Sequence, residues 1–308
     1  MRSLFIIGNG FDLAHGLPTK YSDFKNFLIA HYPEASNITL QFNIEQYDWE
    51  DYDKMAAHLL FYTMNKSCGP DWNDFENALG ELHIHDTFPK RSNTIDENGE
   101  HDDSNIVEYL LHLDKLANMV QISVENWQDF FETWIKSIEH KLENGQYLSR
   151  ESLIELFNKP GNLFLNFNYT RTLKKVYDVK PVIHIHNRVG QNLIFGHGNN
   201  KSSYDGGVIG SSTLDDILEF FRKDTVKSMK KYHNFFRDLN CDINKVYSYG
   251  FSYGSVDSIY IKTIIQKISK DATWYFSKFE ANNKEMFRIK KVKLRKYGFK
   301  GTFDIFEG

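Results

Sequence analysis

The chain has 308 residues, a net charge of −4, 41% hydrophobic and 15% aromatic residues, and two cysteines. That length and apolar content suit a folded chain with a sizeable core rather than a disordered one. So small a charge leaves no electrostatic footprint for nucleic acid or an anionic membrane, and Cys68 with Cys241 supply neither a disulfide framework nor a structural zinc site, as expected in a reducing cytoplasm.

No apolar run approaches the ~20 residues of a membrane-spanning helix, so no membrane partner is expected. Leu4–Ile7 is too short for the apolar region of a signal peptide and runs straight into Gly8; it reads as a buried strand of a parallel sheet. Thr19 or Ser22 is expected to cap a helix carrying Phe24, Phe27 and Leu28. Met55, Leu59, Leu60 and Met64 lie at helical spacing and predict a helix over 51–64, with a shorter one over 74–82. Residues 95–104 are acidic and polar without periodicity, the pattern of an exposed loop. A long helical face then runs from Leu110 through Leu113, Leu116 and Val120 to Trp127, Phe131, Trp134 and Ile138.

Strand and helix alternate again from Asn162. Strands are expected over 163–168, 182–186, 193–195, 245–249 and 272–276, and helices over 170–177, 214–237 and 257–269. This alternation predicts an α/β fold, doubly wound around a mostly parallel sheet. On this reading residues 1–308 form a single α/β domain, 25–160 a largely helical insertion, and 161–308 the remainder of the sheet layer.

Four constellations could carry chemistry. Gly8-Asn9-Gly10 follows a buried strand and lets the backbone approach a phosphate or ribose. Leu13 stands where the dinucleotide fingerprint wants a third glycine, so a plain structural turn explains the pair equally well. Asn166 and Asn168 project to one face near the end of their strand; capping of the next helix accounts for Asn168 more readily than for both. His184 and His186 share one strand face and Ile183 with Ile185 the other. With His15, His197 and Asp205 they have the residue types of a metal site, but general acid–base work is the better reading and no metal is predicted. Gly250-Phe251-Ser252-Tyr253-Gly254 is spelled like a nucleophile elbow, yet no histidine follows His233, so the hydrolase triad order fails. A second nucleotide-binding turn is the alternative. The basic run from Arg288 to Lys300 reads as a solvated face.

Taken in order, the block Ile7–Thr19 with Tyr21 and Phe24, then Asn166–Thr170, His184-Ile185-His186, Gly196-His197-Gly198, and Gly250–Asp257 with Tyr260, resembles AbiH proteins over nearly the whole chain. The resemblance implies a bacterial phage-defence protein acting in abortive infection. AbiH proteins are similar in turn to the sirtuin-like fold. Sirtuins open with Gly-Ala-Gly, five residues, then Gly-Ile-Pro; here Gly8-Asn9-Gly10 precedes Gly16-Leu17-Pro18 at the same interval. Their Asn-x-Asp corresponds to Asn168-Tyr169-Thr170, their His-Gly to His186-Asn187 and their Gly-Thr-Ser to Gly250-Phe251-Ser252. Thr170 in place of aspartate and the absence of zinc-binding cysteines argue against a protein deacylase and leave NAD binding or NAD hydrolysis. The resemblance implies that Gly8, Asn9, Gly10, Asp12, Asn166, Gly250 and Ser252 hold NAD or a related nucleotide. It gives Asn168 the ribose or the attacking water to orient and makes His186 the general base, with His184 and His197 as rivals. It also implies a phage-derived trigger and allows a homo-oligomer; nucleic acid is not an expected partner. A nucleotide sensor without turnover and an effector acting on nucleic acid through the basic run are the alternative classes.

Overall fold

The computed structural model describes residues 2–38, 42–47, 51–82, 84–87, 106–198 and 211–308. The loop expected over 95–104, and Asp205, lie outside them. Two compact units are present: Met1–Lys20, Trp134–Ile194 and Lys223–Gly308 form the first, Tyr21–Thr133 and Phe195–Arg222 the second.

The first unit is built on six parallel strands: β1 (Arg2–Ile7), β2 (Leu163–Asn166), β3 (Ile183–His184), β4 (Ile243–Tyr249), β5 (Thr273–Ser277) and β6 (Thr302–Phe306), in the order β3-β2-β1-β4-β5-β6. This is the doubly wound α/β architecture expected from the sequence. The winding reverses between β1 and β4, the place where open α/β sheets gather ligands at the carboxyl ends of their strands.

β1 is apolar and buried from Leu4 to Ile7, where both of its faces are covered. Leu4 and Ile6 enter a core closed by the helices His233–Asp238, Ser258–Lys267 and Lys284–Lys296, through Phe236, Ile261, Ile264 and Leu294. Phe5 and Ile7 enter a second core under the helices Asn9–Ala14, Glu151–Phe157 and Thr172–Tyr177, through Phe11, Phe157 and Leu173. On that second face Phe164, Phe5, Tyr247 and Tyr275 stack across β2, β1, β4 and β5 with ring centroids 4.8, 4.8 and 4.7 Å apart. The interval equals the spacing of neighbouring strands, so each ring lies directly on the next.

Several elements depart from expectation. The strand predicted over 193–195 does not form; Ile194 instead donates its N–H to the His186 carbonyl at 3.0 Å in an irregular segment. The helix predicted over 214–237 is three: Ser211–Phe220, Thr225–Lys231 and His233–Asp238. Asp224 breaks the run by capping the middle one, accepting the Lys227 N–H at 2.7 Å. β6 and the helix Lys284–Lys296 were not expected, whereas the helix Glu151–Phe157 falls within the stretch expected to be largely helical.

The second unit is helical, with Tyr21–His31, Tyr52–Cys68, Phe75–Ala78, Ser211–Phe220 and the part of Ile106–Glu143 that precedes Trp134. Phe24 sits at its centre, edge-on to Trp72, Phe75 and Phe131. Trp127 donates its indole N–H to the Ala56 carbonyl at 2.9 Å. Thr19 is no cap: its hydroxyl is buried and has no hydrogen-bond partner among the described residues. No described helix is long and apolar enough to cross a membrane.

Candidate functional site

All site residues considered first belong to the sheet unit and lie where β1 to β4 end. β1 leads through Gly8 into the short helix Asn9–Ala14. A Schellman closure stops that helix: Leu17 N–H reaches the Asp12 carbonyl at 3.1 Å and Gly16 N–H the Leu13 carbonyl at 3.0 Å, with Gly16 left-handed at φ 77°. The one turn so formed carries Asp12 into the interior, where it is 1% exposed.

The glycines of the first turn meet those of the fourth block. A Cβ on Gly8 would stand 2.6 Å from Phe251 Cα, and one on Gly10 the same distance from Gly250 Cα. Gly8 N–H donates to the Tyr249 carbonyl at 2.9 Å and Gly10 N–H to the Gly250 carbonyl at 3.0 Å. Backbone contact between the β1 and β4 loops is thus what these glycines permit, and the Gly10 amide is committed to it. Asn9 turns its side chain to its own loop, donating to the Thr19 carbonyl at 2.7 Å. Beneath the β4 loop Tyr253, left-handed at φ 58°, donates to Ser248 at 2.8 Å and accepts from the Trp274 indole at 2.9 Å. Ser252 stays exposed.

Asn166 and Asn168 tie the β2 loop to the β1 loop. The Asn166 side-chain oxygen accepts the Asn168 N–H at 3.0 Å, and the Asn168 amide donates to the Gly8 carbonyl at 3.1 Å. Neither caps the next helix, which starts at Thr172 behind Arg171; the Arg171 N–H and guanidinium instead hold buried Glu139 at 3.1 and 2.6 Å. The Thr170 hydroxyl donates to Asp12 Oδ2 at 2.6 Å. The Asp12 carboxyl therefore stands beside Thr170, supplied by another segment of the chain. Burial pushes the Asp12 carboxyl up to about 6, opposed in part by Thr170, Thr172 and Asn168. Its Oδ1 has no hydrogen-bond partner among the described residues.

The two strand histidines part company. β3 ends at His184, whose Nδ1 donates to the Asn168 carbonyl at 3.1 Å; Asn166 Nδ2 lies 3.4 Å from the same nitrogen. Burial lowers the His184 pKa to about 4, so the ring is neutral. The chain then turns, with Asn187 left-handed at φ 63°, and strand alternation stops. His186 accordingly does not share the His184 surroundings, as alternation had predicted. Its ring sits edge-on to Phe167 at 5.5 Å and 6.3 Å from Tyr260, both members of the core that Ile185 joins. Its Nε2 lies 3.0 Å from Asp257 Oδ1. Burial, the largest influence, raises the Asp257 carboxyl, but the neighbouring His186 and Lys223 together outweigh it and hold the group below its ordinary value.

Sequence reasoning missed Asp257 as a site residue. An aspartate directly before the helix Ser258–Lys267 looks like an ordinary cap, yet its side chain makes no capping hydrogen bond.

Direct contacts therefore join Gly8, Gly10, Asp12, Asn166, Asn168, His184 and Gly250, and the β4 loop brings in His186 through Asp257. Other candidates are accounted for locally. His15 donates Nδ1–H to the Phe11 carbonyl at 2.6 Å and accepts the Tyr177 hydroxyl at 2.7 Å, so neither ring nitrogen is left for a metal. His197 belongs to the helical unit, where its Nε2 donates to the Leu218 carbonyl at 2.9 Å and Gly196 is pressed against the Phe221 carbonyl. The basic run is not a continuous solvated face. Lys290 is buried on Glu280, Lys293 donates to the Tyr253 carbonyl at 3.0 Å, and the Arg295 guanidinium lies 4.5 Å over the Phe303 ring.

Comparison with known families finds one family model, described as bacteriophage abortive infection AbiH, that matches residues 4–278. No curated protein and no solved structure matches the chain.

Proposed function

The chain belongs to the bacteriophage abortive infection AbiH family, which gives it a role in phage defence, and we propose that in this role it binds NAD or a related nucleotide at the carboxyl ends of β1 to β4 and hydrolyses it. The observation that carries this reading is a coincidence of place. The sheet reverses its winding between β1 and β4, and the buried polar side chains Asp12, Asn166, Asn168, Thr170, His184 and His186 collect at that end of the strands. Burying so many polar groups in one place is costly, and a purely structural sheet edge has no need of them.

Cleavage of the nicotinamide–ribose bond develops positive charge on the ribose and requires a placed water. Asp12, whose Oδ1 has no hydrogen-bond partner among the described residues, is suited to accept a ligand hydroxyl or amide and to balance that charge. Asn168, fixed by Gly8 and His184, orients the ribose or the water. His186 takes a proton from either. The paired loops around Gly8, Gly10 and Gly250, with Asn9 and Ser252 at their surface, form the floor on which the phosphates and adenosine lie.

The deciding experiment combines calorimetry with NAD and an assay for released nicotinamide, using the parent protein and His186→Gln. Glutamine is preferred to alanine because it keeps a donor for the partly buried Asp257. Binding in both proteins, with turnover lower by about 10²–10⁴-fold in the variant, is expected. Absence of affinity for any pyridine or adenine nucleotide would end the proposal. A second reading, a sensor without turnover, is favoured by the number of site groups already bonded to one another, as Asn168 is to Gly8 and His184. It predicts binding with no nicotinamide released even in extracts of infected cells.

A further inference from the structure

We propose that Asp257 is a positioning residue that fixes the proton of His186 on Nε2 and leaves Nδ1 as the basic nitrogen of the ring. This deepens the reading of His186 as general base and rests on it.

A neutral imidazole carries one N–H, and a carboxylate only accepts. His186 Nε2 and Asp257 Oδ1 are 3.0 Å apart, so the proton lies on Nε2 and the lone pair on Nδ1. The ring is not free to choose otherwise. Phe167 meets it edge-on at 82°, Tyr260 stands at 62° to it, and both rings are anchored in the core. His184 has the opposite arrangement, because its Nδ1 meets the Asn168 carbonyl and so carries the proton. Two histidines only two residues apart thus hold opposite tautomers, each set by its neighbour.

Asp257 departs from local preference to make this contact. It occupies the N-cap position of Ser258–Lys267, where an aspartate ordinarily accepts a helix N–H, and its side chain forgoes that bond. Buried Lys223 contributes a positive charge that favours the ionised carboxylate. The β4 loop that delivers Asp257 is itself pinned by Tyr253, bonded to Ser248 and Trp274. The pair is therefore held from both sides before any ligand arrives.

In Asp257→Asn the Lys223 charge draws the amide oxygen towards itself and turns the NH₂ group to His186. A ring facing that donor must accept through Nε2, and its proton moves to Nδ1. Nitrogen–proton correlation spectra of labelled histidine, recorded without nucleotide at mildly alkaline pH and assigned with His184→Gln and His186→Gln, read this directly. The expected result is an Nε2–H ring for His186 and an Nδ1–H ring for His184 in the parent, with the His186 proton shifted to Nδ1 in Asp257→Asn. A parent His186 protonated on Nδ1, alone or together with Nε2, overturns the proposal, and so does an unchanged tautomer in the variant. If Asp257→Asn does not fold, the parent spectrum still decides. Because no nucleotide is present, this outcome is separate from whether the protein binds NAD.

Discussion

Gly10 and Gly250 touch backbone to backbone: a Cβ on Gly250 would lie 2.3 Å from Gly10 Cα, and the Gly10 N–H bonds to the Gly250 carbonyl at 3.0 Å. Gly250 is also left-handed at φ 67°. Gly250→Ala should therefore combine overpacking of about 1–3 kcal/mol with a backbone penalty of about 1–2 kcal/mol. Urea denaturation measures the sum. A loss below about 1 kcal/mol would mean that the β1 and β4 loops separate readily and that their contact does not organise the site.

Asp12 makes stability depend on pH in an unusual direction. Its folded pKa is raised from 3.8 to about 6 by burial, so the protonated acid is the favoured form inside. Stability from this group is fully present below pH 3.8 and is lost as pH rises through about 6. The shift corresponds to roughly 3 kcal/mol. Asp12→Asn should thus gain on the parent by up to that amount between acid and neutral pH. Parallel stability curves for the two proteins would show that Asp12 finds a compensating partner in solution.

His15 and His184 act oppositely. Burial lowers each from 6.5 to about 4. Their contribution is present above pH 6.5 and disappears as pH falls through about 4. Titration followed by histidine ring resonances should find both neutral at pH values where a solvent-exposed histidine is largely charged. Either ring titrating at its ordinary value would place it in contact with water.

Buried Lys290 and Glu280 offer a test away from the site. Glu280 also closes a capping box with Ser277 at the start of Lys278–Ala281. Lys290→Met leaves the carboxylate buried without its cation and should cost about 3–5 kcal/mol. Adding Glu280→Gln should recover part of that loss, since the uncompensated charge is then gone. Equal stability of the single and double variants would argue that water reaches the carboxylate.

The strands were legible where both faces are buried, because Leu4–Ile7 is apolar without interruption and Val246–Tyr249 is broken only by the buried Ser248. Ile183-His184-Ile185-His186 alternates as a strand should, yet only its first two residues pair; nothing in the pattern announces the left-handed turn at Asn187. β6 was hidden because it is an edge strand with exposed Asp304 in its middle. The helix Lys284–Lys296 was hidden because Lys290, a residue read as solvated, faces inward. In the site, the polar candidates could be picked out one by one. Their partners could not: Gly250 lies 240 positions from Gly10, and Asp257 lies 71 from His186. Non-local contacts of this kind leave no local periodicity to read.

The column of rings from Phe164 through Phe5 and Tyr247 to Tyr275 spans four strands drawn from distant parts of the chain. Sliding any one strand by a single residue would send its ring to the opposite face and break the column at that point. Correct register is thereby an all-or-none condition shared by segments separated by the entire helical stretch. Electronic coupling between the tyrosine and phenylalanine transitions should switch on only once every strand has found its place, giving an optical signal for the completed sheet.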